Sequence, residues 1–463
     1  MTLSSPDLRA RWQEFRVFAR DPEHASALII AVFGAMLLAM RQGLLVPMTS
    51  GMPPARAAAV GGLVLLIVGF IAGRPFWVRA VRTIPLLPTA AALGVAATIF
   101  LSAAYATTGS MGEVPYILTG YAGRDAVNSL AAFVVIVALI HTRTAIVVVL
   151  RGLVIGASIS SMIGLITYAT GVDLAPMLTL PGLRMHDTAL VTDLMRDGVV
   201  RPQGSAGHPL ELSSVLTIMT PVAVALAFEA YRRGARWWPW AAAAIVLITG
   251  AAATVSRSAL VGMAVAAVVF ALYWPITRSL RVFAAGAVAL FGLWLANVPM
   301  LRSLIQVVSG GSKDGSLQSR SIGRDYVAEQ FGHHMWLGQG AGTYDVRVQP
   351  VLDNDYLAQL MQVGLIGVAA LIVFYLVGAM SGIVAAVRLR STGGPLAELV
   401  PGVLASVLIV MVIGLILDIG GFAQVSLLST VLVALSVCLL RASRAERSTE
   451  LSDDDGHRVA AAV

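Results

Sequence analysis

The chain has 463 residues, of which 57% are hydrophobic and only 12% charged, with a mean hydropathy of +0.82 and a formal net charge of +7. That composition excludes a soluble globule. A closed barrel would show alternating segments of ~10 residues, which are absent, so the sequence predicts an all-α polytopic integral membrane protein.

A bilayer core of roughly 30 Å needs about 20 mostly apolar residues per helix. Twelve candidate spans follow in chain order: Ala25–Met40, Ala57–Gly73, Leu86–Ala106, Ala126–Ile140, Gly152–Tyr168, Leu210–Phe228, Trp240–Ala253, Ala259–Trp274, Val282–Val298, Leu357–Met380, Leu399–Leu417 and Phe422–Leu440. The first has no small-residue cleavage site before Arg41 and reads as an uncleaved helix. Arginines collect in alternate connections: Arg9, Arg11, Arg16 and Arg20; Arg74, Arg79 and Arg82; Arg143 and Arg151; Arg232, Arg233 and Arg236; Arg278 and Arg281; Arg388 and Arg390; Arg441, Arg444 and Arg447. The positive-inside rule then puts both termini in the cytoplasm. The chain divides into a cytoplasmic segment 1–24, a membrane domain 25–441 and a polar tail 442–463 expected to be disordered.

The lone Cys438 allows neither an intrachain disulfide nor a cysteine metal site. The positive charge is arginine spread between spans, which is topology control, so no nucleic-acid partner is expected. Two loops on the opposite, extracytoplasmic side are long, 169–209 and 299–355, and loops of that size carry function or form a small fold. Basic residues on that side run against the rule and are therefore informative. They are Arg184, Arg196, Arg201, Arg257, Arg302, Lys313, Arg320, Arg324 and Arg347.

In "RPQGSAGHPLELSS", Arg201 precedes His208, and Pro209 opens the sixth span. Gly204 and Gly207 allow close backbone approach, and a helix N-terminus offers N–H groups, a combination that suits an anion such as diphosphate. The structural alternative pairs Arg201 with Asp193 or Asp197 and makes His208 a cap. In "SKDGSLQSRSIGRDYVAEQFGHHMWLGQGAGTY", Arg320 and Arg324 stand at i, i+4 and share a helix face that can grip phosphate oxygens. The alternative is a surface ion pair of Arg324 with Asp325 or Glu329. His333 and His334 are adjacent and point apart, so no metal site is expected, and "GQGAG" reads as a flexible turn. Arg257, at the head of a span in "TVSRSAL", either contacts the same anion or snorkels to the headgroups.

"VLDNDYLAQLMQVGLIG" sets Asp353, Asn354 and Asp355 at the mouth of the tenth span, with "GLIG" as a close-packing site within it. Asp355 would bind acceptor sugar or cap the helix, and capping is the structural alternative for all three. No Walker motif is present, and the loops with phosphate-friendly chemistry face outward, where nucleotides are scarce. An enzyme working there needs a donor already activated and delivered through the membrane, as lipid-linked diphospho-sugars are. A flippase or secondary transporter would instead want charges or paired broken helices near the bilayer midplane.

The order of "RPQGSAGHP" before one span, "SRSAL" heading another, "DGSLQSR" in a large external loop and a polar pair nine residues ahead of "GLIG" resembles the O-antigen ligase and O-antigen polymerase superfamily of bacterial membrane glycosyltransferases. The resemblance covers Arg201 to Gly367. It implies a GT-C-like fold and a metal-independent, cofactor-free, inverting transfer of an oligosaccharide from polyprenyl diphosphate to an acceptor hydroxyl, on the outer face of the bacterial cytoplasmic membrane. By that analogy Arg201 and Arg320 hold the diphosphate, and Asp353 stands where the ligases carry a histidine before Asn. The catalytic candidates are Asp353, Arg320 and Arg201, and the substrate-binding candidates are Arg257, Arg324, His208, Asn354 and Asp355. Asp-Asn at this place is the pattern of the polymerase side, so a polysaccharide polymerase is the first reading and a ligase the second, with a lipid-linked oligosaccharide flippase third. The implied partners are the lipid-linked donor, a glycan acceptor and the bilayer, with a chain-length regulator or flippase of the same pathway.

Overall fold

The computed structural model describes residues 13, 16–47, 49, 51–109, 113–174, 177, 181–185, 195–196, 199–282, 284, 315–390 and 394–461, the side chains at 113–115, 195–196, 199–200, 315–320 and 447–461 excepted. The helices in order are α1 (Pro22–Ala39), α2 (Pro54–Ile71), α3 (Pro75–Arg82), α4 (Leu86–Thr107), α5 (Glu113–Leu139), α6 (Arg143–Thr170), α7 (Pro209–Arg232), α8 (Trp238–Ala253), α9 (Arg257–Tyr273), α10 (Gly315–Gln330), α11 (Asp355–Leu389), α12 (Pro395–Ile413) and α13 (Ala423–Ala461). Strands among the described residues are two-residue pairings in the loops. The protein is therefore an all-α multi-pass membrane protein. Nine described helices are long and apolar enough to cross a bilayer, and α8 and α9 are shorter apolar helices. Eleven of the twelve sequence-derived spans fall on these helices; the other, Val282–Val298, lies almost wholly outside the described residues, as do Arg302 and Lys313.

Apolar length makes each span, and small residues decide which spans meet. Gly152 and Gly156 of α6 face α1, where a Cβ at either would fall on the backbone carbonyl of Ala31 or Ala35. That spacing lets two membrane helices approach closely and gain dispersion contacts that bulkier residues would prevent. The centre of the bundle is α7, whose most apolar window is 89% buried, with α12 and α13 at 83%; α1 and α2, at 17%, present their apolar faces outward to lipid.

The loops segregate to two ends. At one end Glu23 accepts from the backbone N–H groups of His141 and Thr142, Arg441 donates to the carbonyls of Thr83, Val137 and Ile140, and Arg143 and Arg278 pair with Glu229 and Glu398. These are the arginine-rich connections of the sequence pattern. At the other end the 41–47, 201–208, 254–256, 331–354 and 414–422 segments meet.

One helix departs from regular geometry. Gly364 in α11 has φ +66° and ψ −169°, so the helix breaks in the middle of "GLIG". Non-helical backbone at membrane depth is tolerated only where protein satisfies it. Here the 335–342 loop does so: Gln339 N–H donates to Met361 O at 2.8 Å, Gly340 N–H to Gln362 O at 3.1 Å, and Leu365 N–H donates to Met335 O at 2.9 Å. The "GQGAG" loop, read from the sequence as a flexible turn, is thus a clasp on a broken helix. Its glycines are needed for contact, because a Cβ at Gly338 would strike the backbone of Gln362 and one at Gly342 would meet Leu118.

Candidate active site

Arg201 is buried, and its Nε donates to Thr254 O at 2.8 Å. That bond ties the first arginine loop to the turn heading α9, so Arg201 and Arg257, 56 positions apart by number, belong to one cluster of backbone. Val255 in that turn has φ +50°, a left-handed conformation that a β-branched residue adopts at a cost of about 1–3 kcal/mol, paid only where the surroundings over-determine it. The Asp193 and Asp197 proposed as alternative partners of Arg201 lie outside the described residues.

The glycines of this loop do not open onto a ligand. Gly204, at φ +56°, is pressed against Ser160 of α6, and Ser205 Oγ donates to Leu38 O at 2.5 Å. Nor is the N-terminus of α7 an unfilled anion site. His208 is its N-cap, with Nδ1 accepting from Leu210 N–H at 3.0 Å, and the fully buried Glu211 accepts from Gly207 N–H at 3.0 Å. Burial, and then the charge of Arg201, lower the pKa of His208, which keeps the imidazole neutral and suited to accept. Its ring stacks on Phe422 at 5.8 Å, while Glu211 also accepts from Gln424 N–H and the Gln42 side chain, each at 2.8 Å. The arginine loop is thereby fastened to the turn between α12 and α13.

That turn holds the polar triplet. Asn354 caps α11, its Oδ1 accepting from Leu357 N–H at 3.1 Å and its Nδ2 donating to Leu415 O at 2.9 Å. Asp355 is turned inward: it is 2% exposed, accepts from Gly420 N–H at 3.1 Å and shares a hydrogen bond with the carboxyl of Asp418. Burial raises the pKa of Asp418, and the negative charge of Asp353 adds to that rise. Two hydrogen-bonded carboxyls hold a proton between them. Asp353 is half-buried, as are Asn354 and Asp418. The capping reading thus holds for Asn354, and Asp355, read from the sequence as an acceptor-sugar ligand or a cap, is hydrogen-bonded to Asp418.

Asp418 was missed by sequence reasoning. The available signal was "LDIGG", an acid followed by two glycines in a connection too short for anything but a tight turn at this end of the bundle.

The second arginine segment reaches the same place. Helix α10 packs on the segment leading to Asp353, with Gly323 close enough that a Cβ would lie 3.1 Å from Leu352 and 3.2 Å from Val351 O. Val327, Leu352, Ala358 and Met361 form a small core, and Gln349 Nε2 donates to Tyr326 OH at 2.9 Å. Arg324 is exposed on α10; Arg320 lies on the same helix, and its side chain is outside the described residues. Arg347 is held by Asp345 at 2.7 Å, an exposed pair that pulls the Asp345 carboxyl down to about 2.

The geometry therefore gathers the Arg201 loop, the Arg257 turn, α10 and the 353–355 triplet around the 414–424 turn. A search among curated proteins returned no match. The family model described as O-antigen ligase matches residues 242–372, a stretch that includes Arg257, α10, Asp353 and the Gly364 break and stops short of Arg201 and Asp418. Over that stretch the chain is similar to the O-antigen ligase family.

Proposed function

We propose that the chain is a cell-surface polysaccharide polymerase that transfers oligosaccharide units from a polyprenyl diphosphate donor to an acceptor glycan. The positive-inside pattern supports a reaction at the outer face of the bacterial cytoplasmic membrane, with both termini inside. The observation that supports this reading best is the meeting of two arginine-bearing segments with Asp353 at the arginine-poor end of the bundle. The carboxylate of Asp353 takes the proton of the acceptor hydroxyl, whose oxygen forms a bond to the anomeric carbon on the face opposite the donor oxygen. The bond from that carbon to the diphosphate breaks, and its electron pair leaves on the diphosphate. Arg201 and Arg320 neutralise the charge that grows there, so the transfer inverts configuration without a metal. Arg257, Arg324, His208 and Asn354 line the approach. Asp355, paired with Asp418, acts as a positioning group that fixes the loop behind Asp353. A flippase and a chain-length regulator of the same pathway are its proposed neighbours.

The test is a reconstituted reaction of the full chain with a defined polyprenyl diphosphate oligosaccharide. Asp353→Ala and Arg201→Ala each lower turnover by about 10²-fold or more with intact protein level. Normal polymer from both variants would overturn the reading. A ligase is the second reading, favoured by the description of the matching family itself. A ladder of products on a same-repeat acceptor supports the polymerase, and single transfer to a different acceptor supports the ligase.

A further inference from the structure

At the end of the bundle opposite the candidate active site, Glu229 is fully buried and faces three guanidiniums. Arg143 Nη1 is at 2.9 Å, Arg233 Nε at 3.3 Å and Arg151 Nη2 at 3.9 Å. Beside it Glu398 takes Arg278 at 2.7 and 3.1 Å and Arg232 at 2.7 Å. Among the described residues, five guanidiniums thus face these two carboxylates, three more cations than anions.

Arg151 is the member the protein uses least. At 3.9 Å its contact with Glu229 is too long for a hydrogen bond, and its Nε has no partner among the described residues. Its side chain is about a third exposed, and the guanidinium lies 5.2 Å from the centroid of the Trp240 ring. Tyr231, Trp237 and Trp238 are exposed on the adjoining turn, rings of the kind that settle at headgroup level. Below Arg151 on the same helix face, at i+4 and i+8, Ile155 and Ile159 are exposed, as are Ile245 and Ile248 on neighbouring α8. A cation with unused donors therefore stands at the head of an apolar track.

We propose that Arg151, with Arg233 and Trp240, binds the phosphate of an anionic phospholipid at the junction of α6, α7 and α8, with its acyl chains along Ile155, Ile159, Ile245 and Ile248. The phosphate oxygens supply the acceptors that Arg151 lacks, and the net negative headgroup offsets the excess of guanidinium charge. The site is separate from the proposed transfer reaction and stands whether or not that reaction is confirmed.

The test is thermal unfolding of the full chain in detergent, titrated with phosphatidylglycerol, phosphatidylcholine or inorganic phosphate. Phosphatidylglycerol raises the midpoint and saturates at a concentration at least about fivefold below phosphatidylcholine. Arg151→Gln weakens the phosphatidylglycerol response about fivefold, Arg151→Lys restores most of it, and the lipid-free midpoint moves by no more than about 2 °C. Equal responses to the two lipids, a wild-type response in Arg151→Gln, or the same rise with inorganic phosphate alone would overturn the proposal. Native mass spectrometry of the wild-type chain, extracted from vesicles of both lipids, reads the site without any variant: preferential retention of phosphatidylglycerol supports it, and equal retention overturns it.

Discussion

The two ends of the bundle bury carboxylates in different ways. At the arginine-rich end Glu229 and Glu398 are neutralised by guanidiniums on neighbouring helices. At the other end Glu211, Asp355 and Asp418 take hydrogen bonds from backbone N–H groups and amide side chains. The first arrangement staples helices together through charge. The second holds loops in place with the dipoles of backbone N–H groups and amide side chains.

The largest effect should come from breaking a staple. Arg278→Ala removes a bidentate partner of Glu398 and the guanidinium stacked 3.8 Å from the Phe228 ring centroid, and should cost about 3–5 kcal/mol. A double-mutant cycle with Glu398→Ala, read by denaturant unfolding of the purified chain, checks how much of the cost is the loss of this charge pair, with Arg232 still 2.7 Å from Glu398 in the single variant. If the double variant is no better than the single one, charge is not the cause.

Next in size is Gly364→Ala. A side chain there must take φ +66° and would meet the carbonyl of Trp336, so a loss of about 2–3 kcal/mol is expected together with release of the clasp. Proteolysis of the 335–342 loop should accelerate in the variant; unchanged cleavage would mean that the clasp holds without the break.

Gln42→Ala removes one of several donors to Glu211 and should cost only about 1–2 kcal/mol, less than Arg278→Ala, as dipolar fastening implies. A cost equal to that of Arg278→Ala would erase the distinction between the ends.

The smallest effect is pH dependence at the site end. Asp418 has a raised pKa, so the folded chain keeps a proton that the unfolded chain releases near 3.8, and stability falls as pH rises above that value. His208 works in the other direction. Its pKa is lowered in the fold, so stability is full above the ordinary 6.5 and declines as pH falls below it. Asp418→Asn should flatten the loss on the alkaline side, and His208→Asn, which keeps a capping acceptor, the loss on the acid side. Melting curves from pH 4 to 9 separate the two.

Much of this was legible in the residues. Spans such as Leu86–Thr107 announce themselves by apolar length, and Asn354 announces the start of α11 by its capping chemistry. The sequence left Arg257 open between an anion contact and snorkelling, and the bond from Arg201 to Thr254 O, which joins the two segments, is a tertiary feature. Other features were hidden because they depend on partners distant in the chain. The inward turn of Asp355 needs Asp418 and Gly420, and the meaning of "GQGAG" needs a broken helix to receive it.

The sequence by itself determined the helical membrane class and the alternation of arginine-rich and arginine-poor connections, because transfer into a bilayer and charge asymmetry across it are properties each segment carries alone. Only the tertiary structure decided which carboxylates are buried and how α11 breaks. A buried charge or an interrupted backbone is tolerated only when another part of the chain arrives to satisfy it, and that arrival is not written in either segment separately.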